Sequence, residues 1–245
     1  MKFVAKTDVG RKRANNEDSF FVKKYDEETY LYIVADGLGG YESGEVASSM
    51  LTRTISKYFE EHLKYLQGAK DDNVEQVLET ALTLANEEIY RLEKTDAKYK
   101  GMGTTVVVVL KINKKIFYIS IGDSRMYYID RKMSNISQVT VDDTYVNELI
   151  KTNVITEEEA KTHPQKHVLT KAVGVLKRLT TKTKIFDKED GYLILCTDGL
   201  TNMLQEMEIL NVLKKLNFDK VVDKLIQKSN DNGGVDNITV IVVEL

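Results

Sequence analysis

Apolar positions along this chain fall mostly into short alternating or continuous blocks, and take a helical period in only a few places. Tyr30, Leu31, Tyr32, Ile33 and Val34 form a run without a breaker, apolar on both faces, which predicts a strand buried on both sides. It ends on Asp36, and Gly37, Gly39 and Gly40 follow. Ser43 then stands where it caps a helix with Val46, Ala47, Met50, Leu51, Ile55, Tyr58 and Phe59 at helical spacing. Before this stretch, Phe3 to Asp8 and Ser19 to Tyr25 read as strands. The second pairs with Thr29 to Asp36 across Asp26, Glu27 and Glu28. Between those strands Gly10 to Asp18 is a polar loop.

A second helical pattern starts near Asn73, with Val74, Val77, Leu78, Ala81, Leu82, Ala85 and Ile89 on one face. Then the period changes. Gly103 to Ile112, Lys115 to Gly122, Arg125 to Asp130 and Asn135 to Thr140 read as strands. Asn113-Lys114 is a tight turn, so the expectation is an antiparallel meander. Tyr145 to Lys151 and Thr156 to Ala160 are helix-like, with a capping-box pattern at Thr156 and Glu159. No long apolar stripe runs through this region, which predicts a small surface flap over about 143–170. Leu179 to Phe186 and Gly191 to Thr197 are strands again, the latter ending on Asp198-Gly199. Helices start near Glu206 and Asp219, and Ile238 to Glu244 is the last strand. Helices segregated from antiparallel strands predict an α+β fold, with two stacked sheets and helices outside.

Composition narrows the function. The chain has 245 residues, 42% hydrophobic and 30% charged, enough for a substantial core, and a single proline, Pro164. With no Pro- or Ser-rich linker, one domain over 1–245 is expected. A net charge of −3 is too mild to point to nucleic acid or an anionic membrane. No apolar run is long enough to span a bilayer, and the N-terminus lacks the apolar core of a signal peptide. The lone Cys196 forms no intrachain disulfide. A cytoplasmic monomer is the expectation. Cys196 within LILC reads as an inert core thiol, and Met50 and Met102 as core fillers.

The chemistry rests on carboxylates at strand ends. Asp36 and Asp198 each precede a glycine, Asp123 follows Gly122, and Asp236 sits at the mouth of the last strand. Strand ends on one edge of a sandwich converge, and clustered carboxylates repel unless a cation meets them. Oxygen ligands suit a hard divalent ion. His62, His163 and His167 are scattered, so no zinc-type cluster competes. Arg13 adds a fork-shaped cation suited to phosphate, and Arg125 is an available partner for Asp123.

Seven stretches now resemble, in order, the metal-dependent protein phosphatase family of the 2C type in its short bacterial form. They are Arg13-Ala14-Asn15-Asn16-Glu17-Asp18, Val34 to Gly40, Gly44 to Ser48, Gly101 to Thr105, Gly122 to Arg125, Cys196 to Leu200 and Asp236 to Thr239. The resemblance implies a four-layer α-β-β-α sandwich of two antiparallel sheets flanked by helix pairs. It implies hydrolysis of phosphoserine and phosphothreonine in proteins by a metal-activated water. It implies two bridged Mn2+ or Mg2+ ions and a third: Asp36 bridging, the Gly37 carbonyl on one ion, Asp198 and Asp236 on the other. Asp123 with Asp198 would hold the third. Glu17 and Asp18 would support bound waters, and Arg13 would bind the substrate phosphate. A transmembrane Ser/Thr kinase is the implied opponent.

Two departures stand out. Some relatives carry a histidine where this chain has Leu38, which removes a candidate general acid. Where the family commonly reads Asp-His-Ser, this chain reads Asp142-Asp143-Thr144, so Asp143 alters the charge near the flap. Two other readings share the pattern: a metallohydrolase of a small phosphoester, and an inactive module that binds phosphoproteins. The full set of Asp36, Asp198 and Asp236 argues against the second, since pure binding needs no such cluster.

Overall fold

A computed structural model describes residues 1–40 and 43–245; Tyr41 and Glu42, part of the central glycine-rich stretch, lie outside the described residues. Two antiparallel sheets form its centre. One contains β1 (Lys2–Asp8), β7 (Arg125–Ile129), β8 (Ile136–Gln138), β10 (Tyr192–Cys196) and β11 (Ile238–Glu244), in the order β1-β11-β10-β7-β8. The other runs β2-β3-β5-β6-β9, from β2 (Asp18–Lys24), β3 (Thr29–Leu38), β5 (Val106–Ile112), β6 (Lys115–Ile121) and β9 (Lys184–Phe186). A two-residue strand, β4 (Gly103–Thr104), pairs with the end of β3.

The two-sided apolar run in β3 follows from its central place. Leu31, Ile33 and Ala35 face a core shared with α1 (Ser43–Leu66) and α2 (Asp71–Thr95). Tyr30, Tyr32 and Val34 face the other way, into the layer between the sheets. In β11 Val240 and Val242 pack under α6 (Glu206–Lys215) and α7 (Val221–Asp231), while Ile241 and Val243 point between the sheets. Successive side chains alternate across a strand, so a central strand in a four-layer stack has no polar face. The helix pairs, the α+β class and the four layers therefore agree with expectation.

Several boundaries move. The meander breaks: β5 and β6 pair across Asn113-Lys114, but β7 belongs to the opposite sheet. Gly122, at φ +92, turns the chain from one sheet to the other. Periodicity reports which face is buried, not which sheet a strand joins. The strand expected from Leu179 shrinks to Lys184–Phe186, because only those residues find partners on β6. Gly103 to Ile112 splits in two at Thr105. β3 continues two residues past Asp36, and Asp198, expected at a strand end, is the first residue of a helical turn, α5 (Asp198–Thr201). Between β8 and β9 lie α3 (Tyr145–Lys151) and α4 (Glu157–Thr162), the latter with the expected Thr156–Glu159 capping box.

Candidate active site

The predicted carboxylates gather where strands of both sheets open onto one rim. Asp18 and Asp36 stand directly opposite each other in the β2–β3 register. Like charges at such a position are destabilising, so the pairing marks a place built for something other than stability. The Asp36 backbone is held from both sides: its N–H donates to Thr105 Oγ1 (3.0 Å), and its carbonyl accepts from Thr105 N–H (2.9 Å) and Thr104 Oγ1 (2.9 Å). Burial pushes the Asp36 carboxyl well above the usual range, and the charges of Asp18, Asp198, Asp123 and Asp236 push it further. Asp123, Asp198 and Asp236 are the neighbours the strand-end pattern nominates, and Asp18 is the one the family resemblance adds.

Asp198 is likewise raised, by burial first and by Asp236 second. Its Oδ2 accepts from Asn202 Nδ2 (2.9 Å), and the Asp36 carboxyl lies within hydrogen-bonding reach. Its Oδ1 is buried with no hydrogen-bond partner among the described residues, and so is Oδ1 of Asp18. Asp123 rises to about 7 through burial and the charge of Asp198, so it faces the same cleft. Arg125, the available partner that would have given Asp123 a purely structural role, goes elsewhere: the guanidinium grips buried Asp142 through Nε (3.0 Å) and Nη2 (2.7 Å). A bidentate fork is satisfied by one carboxylate at a time, and Asp142 occupies it.

Asp236 forms an ion pair with Arg13, Nη2 to Oδ2 at 2.8 Å, half open to solvent on the arginine side. The arginine that the resemblance assigns to phosphate binding is thus already beside the carboxylates. Glu17 works through its backbone: its N–H donates to Asn237 Oδ1 (2.8 Å), and its carbonyl accepts from Gly37 N–H (3.1 Å) and Ser48 Oγ (2.6 Å). Gly37 has no room for a side chain, since a Cβ would overlap the Gly44 carbonyl at the start of α1. This contact carries the β3 end past the helix N-terminus.

Three residues without an assigned role in the sequence hold the site together. Asp18 Oδ2 accepts from Thr197 Oγ1 (2.8 Å) and Thr239 Oγ1 (2.6 Å). Each threonine lies close in sequence to a carboxylate of the rim, Asp198 or Asp236. Burial still pushes the Asp18 carboxyl up to about 7 against these two hydroxyls. Asn237 Nδ2 donates to the carbonyls of Val9 and Asn15, both 2.9 Å, and so clamps the loop that carries Arg13. A signal was present: polar residues interrupting apolar strands beside acidic ones. Of the histidines, His62 stacks on Tyr58 far along α1, while His167 is the one linked electrostatically to Asp198. Cys196 is fully buried, with its thiol pushed up to about 12 by desolvation, and Met102 is buried in the core, as expected.

Among the described residues, no three His, Cys, Asp or Glu side chains close into a ready coordination shell. The residues still fit hard divalent ions. The donors are all oxygen, their charges repel one another, the buried Oδ1 atoms of Asp18 and Asp198 lack hydrogen-bond partners among the described residues, and such ions keep much of their own water.

Solved structures share this fold end to end. The Streptococcus agalactiae serine/threonine phosphatase superposes with a TM-score of 0.90 at 32% identity, covering 100% of this chain and 99% of that one. The catalytic domain of serine threonine protein phosphatase PstP, in complex with two manganese ions, superposes at 0.82 with 28% identity, covering 99% and 97%. The fold is therefore that of the PPM class of Ser/Thr phosphatases.

Sequence comparison reaches the family. The profile described as Protein phosphatase 2C matches residues 9–240. The serine/threonine phosphatase stp of Listeria monocytogenes serotype 4b is 36% identical over 242 residues, 98% of this chain and 94% of the relative. Protein phosphatase PhpP of Streptococcus pneumoniae serotype 2 is 35% identical over 252 residues, 100% and 98%. The chain belongs to the protein phosphatase 2C family, and it is a protein serine/threonine phosphatase. Its substrates are phosphoproteins, and no described helix is long and apolar enough to cross a membrane.

Proposed function

We propose that residues 1–245 form one catalytic domain, with a flap over about 143–170, that hydrolyses phosphoserine and phosphothreonine by direct water attack. The observation that carries the reading is the cluster of Asp36, Asp123, Asp198 and Asp236, each linked electrostatically to another of the set. Asp36, the Gly37 carbonyl, Asp198 and Asp236 would hold two manganese or magnesium ions, and Asp123 with Asp198 a third. The PstP structure with two manganese ions supports the pair. Bound there, such ions lower the pKa of water and neutralise phosphoryl oxygens.

The protein's own groups do the rest. Arg13 turns from Asp236 to grip two phosphoryl oxygens with its planar fork. Asp18 keeps the Asp198 and Asp236 loops in register through Thr197 and Thr239. Glu17 orients water at the rim. Leu38 has no proton to give, so the leaving oxygen takes its proton from solvent ordered in the cleft. The same chemistry suits a cytoplasmic monomer that reverses a Ser/Thr kinase.

The test is hydrolysis of a phosphothreonine peptide with and without manganese, by the unaltered protein and by Asp36→Ala. Turnover should require the metal and vanish in a folded Asp36→Ala protein. Near-normal turnover in that variant would overturn the ligand assignment. In Arg13→Ala the Michaelis constant should rise about tenfold, with Arg13→Lys recovering only part. An unchanged Michaelis constant would remove Arg13 from phosphate binding.

A further inference from the structure

Next to the carboxylate rim lies a second concavity of opposite charge. It encloses ≈ 370 Å3 and is lined by Lys151, Lys171, Lys182 and Lys184, with the hydroxyls of Ser120 and Thr180 among them. Its one carboxylate, Asp143, is already engaged. Asp143 pairs with Lys171 at 3.3 Å and accepts from Gly122 N–H at 3.2 Å. Lys151 is balanced by Glu148 at 2.8 Å. Among the described residues, neither Lys182 nor Lys184 forms an ion pair with a carboxylate, and both are exposed.

The sequence around the cavity is one-sided. From Ala160 to Phe186 there are seven lysines and arginines and no aspartate or glutamate, in a chain whose net charge is −3. Lys184 on the edge strand β9 has a plain structural use, because a charged edge discourages strand pairing with another chain. That use does not explain why cations from α3, the 171–184 segment and β9 converge on one hollow with hydroxyl donors. Converging cations and hydroxyls of this kind bind anions.

Position gives the hollow a purpose. Ser120 and Ile121, in its wall, belong to the strand that leads to Asp123, and Asp143 joins the hollow to Gly122. Three residues span at most about 11 Å of chain. An extended substrate with its phosphoryl group at the rim would therefore bring a side chain two to four residues away to the lysines.

We propose that this lysine hollow is a specificity site of the phosphatase, binding an anionic side chain two to four residues from the phosphorylated residue. The proposal rests on the phosphatase reading above. The ligand chemistry is an oxyanion, supplied by aspartate or glutamate or by a second phosphorylated residue of the same segment. Such contacts act mainly on substrate binding and weaken as salt rises.

The test compares phosphothreonine peptides flanked at those positions by aspartates, glutamines, lysines or a phosphoserine, with p-nitrophenyl phosphate as the substrate without a peptide. At low salt, kcat/KM should be about tenfold higher for the aspartate peptide than for the lysine peptide, mostly through KM, and the gap should narrow in high salt. A larger gain from phosphoserine identifies phosphate as the preferred oxyanion; an equal gain identifies charge alone. K182E/K184E should abolish or invert the preference while its rate on p-nitrophenyl phosphate stays unchanged. Should that variant not fold, K182Q/K184Q serves, with the preference flattened. Equal kcat/KM for all flanks, with p-nitrophenyl phosphate still turned over, overturns the specificity site and leaves the phosphatase reading standing. No turnover of any phosphorylated compound overturns the reading itself.

Discussion

Asp18 places one oxygen between two threonine hydroxyls and leaves the other buried without a partner among the described residues. At this scale the site depends on ordinary hydrogen bonds as much as on its acidic groups. Thr197 Oγ1 also accepts from the Thr239 backbone N–H at 3.0 Å, so it links β11 to Asp18. Thr197→Val keeps the shape and removes both bonds. Its unfolding free energy should fall by about 1–3 kcal/mol, because a buried N–H loses its partner and the Asp18 carboxylate loses one of two hydroxyl donors. More manganese should be needed for half-maximal activity, since Asp198 follows directly. A melting curve and a manganese titration check it, and unchanged values in both would deny the threonine its positioning role. The converse case is Tyr32, fully buried between the sheets with its hydroxyl unpartnered among the described residues. Removing that hydroxyl costs no hydrogen bond, so Tyr32→Phe should be neutral or stabilise by about 1 kcal/mol in chemical denaturation. A clear loss of stability would show that the hydroxyl has a partner.

Elements meet around the rim at glycines, and here the restriction is space more than conformation. Gly199 lies in α5 with the Asn237 backbone against it, and a Cβ would overlap that carbonyl. Gly199→Ala must push α5 away from the turn before β11, separating Asp198 from Asp236. The expected cost is about 3 kcal/mol, at the upper end for overpacking, with most activity lost. Among the described residues nothing lies within 4 Å of a Cβ at Gly40, so Gly40→Ala should change stability by less than about 1 kcal/mol. Equal melting temperatures for the two variants would refute the close crossing. Much at this level was legible in the sequence. The bounds of β11, the β5–β6 turn and the capping box of α4 all came from local pattern. The crossing at Gly122 did not, because a positive-φ turn between sheets and one within a sheet use the same residue.

Across the whole molecule, the rim concentrates negative charge at the mouths of two sheets whose interior is apolar. Without metal, burial holds the carboxyls of Asp18, Asp36, Asp123 and Asp198 above their unfolded values, two of them near 7. Unfolded aspartate titrates near 4. Between roughly pH 4 and 7 the folded state therefore binds more protons than the unfolded state, and stability falls as pH rises through that window. Protein stripped with EDTA should melt several degrees higher at pH 6 than at pH 8, roughly 5 °C. Manganese should reverse or flatten the trend, because bound cations take the place of the protons. Melting temperatures across pH, with and without manganese, decide it. A stripped protein that melts higher at pH 8 would mean that burial and mutual repulsion do not raise these carboxyls.

The sequence by itself determined the layers, because a strand apolar on both faces is stable only between two covers, and amphipathic helices supply the outer pair. It also nominated the acidic residues and Arg13, through several carboxylates at strand ends and seven family-like stretches in order, since one aspartate beside a glycine marks a turn more often than a site. Tertiary structure decided the partners. Arg125 took Asp142 rather than Asp123, Arg13 met Asp236, and Asp18 found Thr197 and Thr239 from the opposite sheet. Those contacts join residues as far apart as Asp18 and Thr239. No local periodicity encodes them, because they arise only when two sheets stack at one particular offset and bring separate strand ends to the same rim.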